Sequence, residues 1–346
     1  MTEPGGRRIA QGLAWASATA MCGAWLLVGG LGDRVWWALP FLYGPRWAAG
    51  VLFLGLLPAL LVARRTALVA GLLMAVIFAF GLLDVRLGLG RLEPAEAVVL
   101  RVLEINAGSG SPTLHPTATS ILDEATRVEA DIVVVAECSA ALSDGIAASA
   151  AWDVRRGVSS VCIASHFPVL SWEERDPMDF WKQSGSGAIA RATLATPAGV
   201  VRVGVVHLET PRDALDNFGD LSMIPTLGPV TRQNTEQREL ESRVAREWIF
   251  RGEALPTIVA GDFNLPIESA IYRRHWSGLR NAFSRGGVGI GNTKRTRRWG
   301  IRIDHILTTD EFVTHHARIG RDVGSDHRPV SAELSLPKAQ RTSAAR

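Results

Sequence analysis

"IVAGDFNLP", residues 258–266, decides the fold. Ile258, Val259 and Ala260 run without a polar break, as in a strand covered on both faces. The run then ends on Asp262 and Asn264, a carboxylate and an amide two residues apart. Asp and Asn end strands for their turn chemistry alone, so one such tip carries no function. Outward along the chain the pattern recurs. "VVLRVLEIN" ends in Asn106, "DIVVVAE" in Glu137, and the second arm of "GAIARATLATPAGVVRVGVVHLE" reaches His207. "IRIDHILT" holds Asp304 between apolar neighbours, and "SDHRPVSAELSL" opens on Asp326 and His327.

Helical patterns lie between these strands. "HPTATSILDEATRVEA" sets Ile121, Leu122, Ala125 and Val128 on one face. "NTEQRELESRVAREWIFRG" reads as a helix capped by Asn234, with Gln237 three residues on, Leu240, Val244 and Trp248 on its inner face, and Gly252 at its end. "SSVCIASHFPV" is a strand stopped by Pro168, and "TPAG" turns a hairpin. Residues 211–233 are expected to form a long loop over the site. Doubly covered strands interleaved with helices predict an α/β fold of two packed sheets with helices outside.

The first quarter of the chain differs in kind. Of 346 residues, 47% are hydrophobic and 21% charged, but almost none of that charge falls in residues 9–83. Three stretches, 9–31, 47–63 and 66–83, approach the roughly 20 apolar residues a membrane-spanning helix needs. With Arg7, Arg8, Arg64 and Arg65 in the cytoplasm, three crossings place everything after residue 84 outside. The expected organisation is a multi-pass membrane region (1–94), an extracytoplasmic catalytic domain (95–338) and a disordered tail (339–346). A net charge of +3 is too small to imply nucleic acid by itself. Three cysteines form neither a disulfide scaffold nor a zinc pattern, although Cys138 and Cys162 could pair outside the cytoplasm.

Taken together, the strand tips make one constellation. The four carboxylates Glu137, Asp262, Asp304 and Asp326, gathered at one end of a sheet, would repel each other. A divalent cation removes that cost, and an oxygen-rich set with neutral amides suits Mg²⁺, or Mn²⁺, better than zinc. His207 and His327 beside acids can move protons near neutral pH. Asn106 and Asn264 can donate to a phosphate without adding charge. The set suits metal-assisted attack of water on a phosphate ester.

"EIN", "VVVAE", "VVHLE", "AGDFN", "RIDHIL" and "GSDHRPV" resemble, in order, the motif series of the endonuclease/exonuclease/phosphatase superfamily over roughly residues 98–336. The resemblance implies a four-layer α/β sandwich with the site at one end of two paired mixed sheets. Glu137 then resembles the principal metal ligand, Asn106 a metal or phosphate ligand, and Asp326 a further metal-side carboxylate. His327 resembles the histidine that activates water or meets the phosphate, with Asp304 its orienting acid. Asp262 positions the nucleophile, Asn264 binds phosphate, and His207 stabilises phosphate or protonates the leaving group. Position 108 departs from exonuclease III-type members, since glycine stands where they carry an acid, and no tyrosine stands near His207.

"TKRTRRWG" (293–300) supplies Lys294, Arg295, Arg297, Arg298 and Trp299 just before Asp304, as a solvated turn or a phosphate-gripping patch. Such a patch serves nucleic acid, anionic lipid headgroups or sugar phosphates equally well. The basic turn leans toward nucleic acid and the apolar N-terminal region toward a membrane substrate, so a nuclease is expected, with a lipid-headgroup phosphodiesterase or a phosphatase as the alternative. A silent membrane-tethered binding domain is the rival of another class; its signature, a lost motif residue, is not seen.

Overall fold

A computed structural model of the chain describes residues 4–90, 97–108, 115–183, 185–219, 221–296 and 298–337. The chain divides into two compact units, residues 1–85 with 268–270, and residues 86–267 with 271–346. The expected boundary at 94/95 and the tail at 339–346 lie outside the described residues.

In the first unit, two helices are long and apolar enough to cross a membrane, Gly5–Leu31 and Arg64–Leu82. The expected middle span is not one straight helix. A tight run, Arg46–Leu56, passes into the helix Leu57–Val62, and together they meet Trp36–Tyr43 at 85°. Pro45 at the break and Pro58 in the first turn of the last segment mark the irregular backbone. The count is thus two candidate spans, or three if the bent pair is one. Small residues (Ala10, Ala14, Ala18, Ala67, Ala70) are buried, while Leu61, Leu68 and Leu72 face outward. Met21, Met74 and Leu82 are buried with the alanines, and an outward face this apolar is the reverse of a water-facing amphipathic helix.

The second unit holds two six-stranded sheets. Their strands are β1 (Ala97–Asn106), β2 (Ile132–Ala136), β3 (Asp153–Arg156), β4 (Val161–Ser165), β5 (Val169–Glu174), β6 (Ala188–Thr196), β7 (Gly199–His207), β8 (Thr257–Asp262), β9 (Arg280–Asn281), β10 (Asp304–Thr308), β11 (Val313–Ile319) and β12 (Val330–Pro337). One sheet runs β11-β12-β1-β2-β4-β3, the other β9-β10-β8-β7-β6-β5. Each has one parallel pair, β1 with β2 and β7 with β8; the other neighbours are antiparallel.

Strand alternation explains the layering. Leu100 and Val102 of β1, Ile132 and Val134 of β2, Val201 and Val203 of β7, and Ile258 and Ala260 of β8 share one core between the sheets. The intervening Leu103, Ile105, Val133 and Val135 pack under helices Ala118–Arg127 and Ala140–Ala147. Val206 and Val259 pack under Ala245 and Ile249 of the helix Ile224–Ile249. Two mixed sheets flanked by helices are therefore present. Cys138 and Cys162 form a disulfide in an outer layer, with Cα atoms 5.8 Å apart.

Residues 211–233 are not the expected loop. Arg212–Asp216 is a short helix, and the long helix begins at Ile224. Pro225 sits in its first turn, where its missing N–H costs nothing, and Pro229 is carried inside. Asn234 is accordingly mid-helix, not a cap: its Nδ2 donates to the Thr210 carbonyl at 2.8 Å.

Glu241 of this helix is fully buried and ties it to the second sheet. It accepts from the backbone N–H of Gly187 (3.0 Å) and Glu209 (2.6 Å) and from Gln237 Nε2 (3.2 Å). Burial pushes its carboxyl up to about 7 against these donors, from an ordinary 4.5. Its folded-state pKa exceeds the unfolded one, so this group costs stability as pH rises from about 4.5 to about 7 and no further above. The cost is on the order of 3 kcal/mol. Thermal melts of the detergent-solubilised chain between pH 5 and pH 8 should therefore fall more steeply for wild type than for Glu241→Gln.

Candidate active site

The same alternation that fills the inter-sheet core places chemistry at its end. Continuing inward from Leu100 and Val102 come Glu104 and Asn106; from Val203 and Val205, His207; from Ile258 and Ala260, Asp262. Parallel pairing puts His207 opposite Asp262 and Asn106 opposite Ala136, just before Glu137. Antiparallel pairing sets Asp304, which begins β10 rather than ending a strand, opposite Asp262. β12 starts at Val330 opposite Glu104, so the turn with Asp326 and His327 lies beside the end of β1. Gly261 permits this packing with φ 144°, and a Cβ there would collide with the Val206 carbonyl.

All eight candidate residues meet at this end. Both carboxylate oxygens of Asp304 lie 2.9 Å from His327 Nδ1, which fixes the ring and leaves Nε2 forward. His327 Nε2 is 3.9 Å from Asp262 Oδ2 and 3.9 Å from Asp326 Oδ1, too far for hydrogen bonds but close enough to share one oxygen atom. Asn106 Nδ2 donates to Asp262 Oδ2 at 2.9 Å and to Glu137 Oε1 at 3.1 Å. Glu137 Oε1 is 3.8 Å from His207 Nε2. Asn264 donates its backbone N–H to Asp262 (2.8 Å) and its amide to the Leu208 carbonyl (2.7 Å), tying the Asp262 turn to the strand end that carries His207. Glu137 and Asn264 both hold positive φ, 54° and 51°, a strained backbone that recurs at functional sites.

Depth grades the set. The side chains of Asp304, Asp262 and His327 are 0%, 2% and 4% exposed, whereas Glu137 and His207 keep 46% and 26%. Burial alone would pull the His327 imidazole down, but the charge and hydrogen bond of Asp304, with Asp262, hold its pKa above the usual value. Asp304 is held below the ordinary range: burial pushes it up, and His327 and Thr293 more than offset that. Asp262 is pushed up by burial and by Asp304.

Three contributors escaped the sequence reading. Glu104 is fully buried, with no hydrogen-bond partner for either carboxyl oxygen among the described residues. Burial, Asp304 and Asp262 raise its pKa well above normal. Its alternation with Leu100 and Val102 was the available signal. Ser325 receives the His327 N–H at 2.9 Å and reaches the carbonyls of Asn106 (2.8 Å) and Gly108 (2.6 Å), joining the histidine turn to β1. Thr293, fully buried, accepts the N–H groups of Ile303 and Asp304.

The donor set fits a divalent cation. Glu104, Glu137, Asp262, Asp304 and Asp326 crowd one end of the sheets, and Asp262 and Glu104 are already pushed toward the neutral form. Asp262, Asp304 and His327 offer atoms within 4.8 Å of one another, but both Asp304 oxygens are engaged by His327. Glu137, half exposed, has oxygen lone pairs to give; Asn106 is buried beside it, and its Oδ1 accepts the Gly108 N–H at 2.7 Å and keeps one lone pair.

Residues 103–327 match the Endonuclease/Exonuclease/phosphatase family. The chain belongs to this family. It is accordingly a phosphoester hydrolase that works with a divalent metal ion. No curated protein matches it in sequence. D. rerio TDP2 humanized by 14 mutations superposes with a TM-score of 0.53 at 16% identity, over 68% of this chain and 98% of that one. D. rerio TDP2 complexed with a single-strand DNA product gives 0.52, 16%, 68% and 98%. A family protein from Bacteroides thetaiotaomicron gives 0.52 at 14% identity, over 70% and 99%. At these identities the likeness shows the shared fold.

Because Asp304 is what holds His327 high, Asp304→Asn should lower the His327 titration midpoint in an NMR titration with chelator present. Turnover should fall by about two to four orders of magnitude, the usual worth of a positioned acid–base group.

Proposed function

We propose that this protein is a membrane-anchored, Mg²⁺-dependent phosphodiesterase that hydrolyses nucleic acid. The observation that carries the chemistry is the Asp304–His327 pair, whose free Nε2 looks across 3.9 Å to Asp262. A water between these two atoms can pass its proton to His327 Nε2, while Asp304 holds the ring's tautomer and stabilises the imidazolium. Asp262 fixes that water's direction, and Asn264 fixes Asp262. Glu137 and Asn106 would hold the metal, which would supply charge to the phosphate oxygens; Asp326, expected as a further metal-side carboxylate, is paired with Lys294. His207, at the exposed rim beside Glu137, is the candidate to stabilise the phosphate or protonate the leaving oxygen.

Nucleic acid is favoured over other phosphate esters by the basic ribbon of Lys294–Arg295 paired with Gly300–Ile301, bridged at Lys294 to His327. Arg295 and Arg298 are exposed beside it, and Arg297 lies outside the described residues. TDP2 of the same fold, captured with single-strand DNA, supports this direction. The apolar N-terminal helices favour a second substrate, a phospholipid headgroup presented at the same membrane. They also support anchoring, and the Cys138–Cys162 disulfide supports a catalytic domain outside the cytoplasm.

Plasmid DNA, RNA, phospholipid vesicles and inositol phosphates, each offered with Mg²⁺ and with chelator, separate these substrates. Metal-dependent cleavage of nucleic acid, lost in Glu137→Ala and His327→Ala, is the expected result. Headgroup release from vesicles alone would select the lipid reading. No cleavage by folded protein that also fails to bind Mg²⁺ would leave a silent binding domain. For the side of the membrane, a reporter active only outside the cytoplasm should work when fused after Arg346; activity confined to a cytoplasmic reporter would reverse the orientation.

A further inference from the structure

Two features restrict how many cations this site can hold. The first is Gly108. No acid stands two residues after Asn106, and the carboxylate of the flexible Glu137 side chain lies where a Cβ at Gly108 would be. The second is Lys294. Its Nζ lies 2.5 Å from Asp326 Oδ2, in a pair whose side chains are only 19% and 29% exposed. This lysine is not a swinging surface cation. Its backbone bridges His327, the Arg295 N–H donates to the Asp326 carbonyl at 3.0 Å, and the Arg328 N–H donates to the Thr293 carbonyl at 2.7 Å. The ribbon therefore clamps the ammonium against the turn that carries both Asp326 and His327. Asp326 Oδ1, the other oxygen of the same carboxylate, faces His327 Nε2 at 3.9 Å.

We propose that the Lys294 ammonium, held by Asp326, takes the place of a second metal ion, so that the site binds a single divalent cation at Glu137 and Asn106. In this arrangement Lys294 would supply to the phosphate the positive charge that a second ion would otherwise bring. A lysine suits this task because it is a compact point charge with three donors; Asp326 occupies one and the others can reach an oxyanion. Asp326 is then a positioning residue for the lysine, not a metal ligand. The inference rests on the proposed placement of the metal at Glu137.

Mn²⁺ serves as the probe, counted by electron paramagnetic resonance on the full chain in detergent. Wild type and Lys294→Arg should each bind one Mn²⁺. Lys294→Met should bind a second, weaker one, because Asp326 loses its counter-charge. Cleavage of the substrate identified above should rise hyperbolically with Mn²⁺ in wild type. In Lys294→Met it should fall about a hundredfold at low Mn²⁺, as for loss of one transition-state donor, and recover sigmoidally as Mn²⁺ is raised. Two ions on wild type, or full activity of Lys294→Met at low Mn²⁺, overturns the proposal. Glu137→Gln separates the two layers: unchanged Mn²⁺ binding in that variant removes the Glu137 metal site itself, and the lysine role with it.

Discussion

Buried like charge is the constraint on which this site depends. Glu104, Asp262 and Asp304 share the dry end of the inter-sheet core, where ionising all three would cost several kcal/mol per unpaired charge. The surroundings push the three acids in different directions. Asp304 is kept ionised by His327 and Thr293. Glu104, with no donor aimed at it among the described residues, is pushed toward the neutral acid. Asp262 lies between, raised by burial and Asp304 yet drawn down by His327, His207 and the Asn264 N–H. That graded set, in which neighbouring groups have their pKa values driven apart, is how one pocket can hold acid and base functions together.

Topology supplies the crowding in the first place. A parallel pair delivers two strand ends to the same edge, and each sheet has such a pair at or near its middle. The adjoining antiparallel strands, β10 and β12, begin where β8 and β1 end. Six chain segments therefore meet without any long excursion, and the inward alternation that fills the core with Val, Ile and Ala carries on into acids and amides. Core packing and site geometry are thus one register: a one-residue slip of β8 would send Asp262 outward together with Ile258 and Ala260.

Much of this was legible in the sequence because the strands are apolar and end abruptly. Asn106, Glu137, His207 and Asp262 could be read as tips from the residue pattern alone. Asp304 could not be placed in the same way, since it starts its strand; only pairing reveals that it faces Asp262. Glu104 was hidden inside "VLEIN", where period-two alternation marks it as inward-facing but nothing local says that acids from another sheet await it. The helix begins at Ile224, ahead of the credible cap at Asn234, and carries Pro225 and Pro229 in its first turns. Tertiary packing of its far half, through Glu241, Ala245 and Ile249, outweighs those local signals.

The basic turn shows the same limit more sharply. Its cations are equivalent on paper, yet Lys294 alone of the described ones is drawn into an ion pair with a site carboxylate. What distinguishes it is a backbone bridge to His327, which no composition or spacing encodes. The ribbon, the Ser325 staple and the left-handed Glu137 each fix the rim relative to the buried acids by main-chain contacts. Substrate choice in such a site then resides in short rim segments that can change without disturbing the register beneath. A common buried centre can thereby serve esters as different as a nucleic acid and a lipid headgroup.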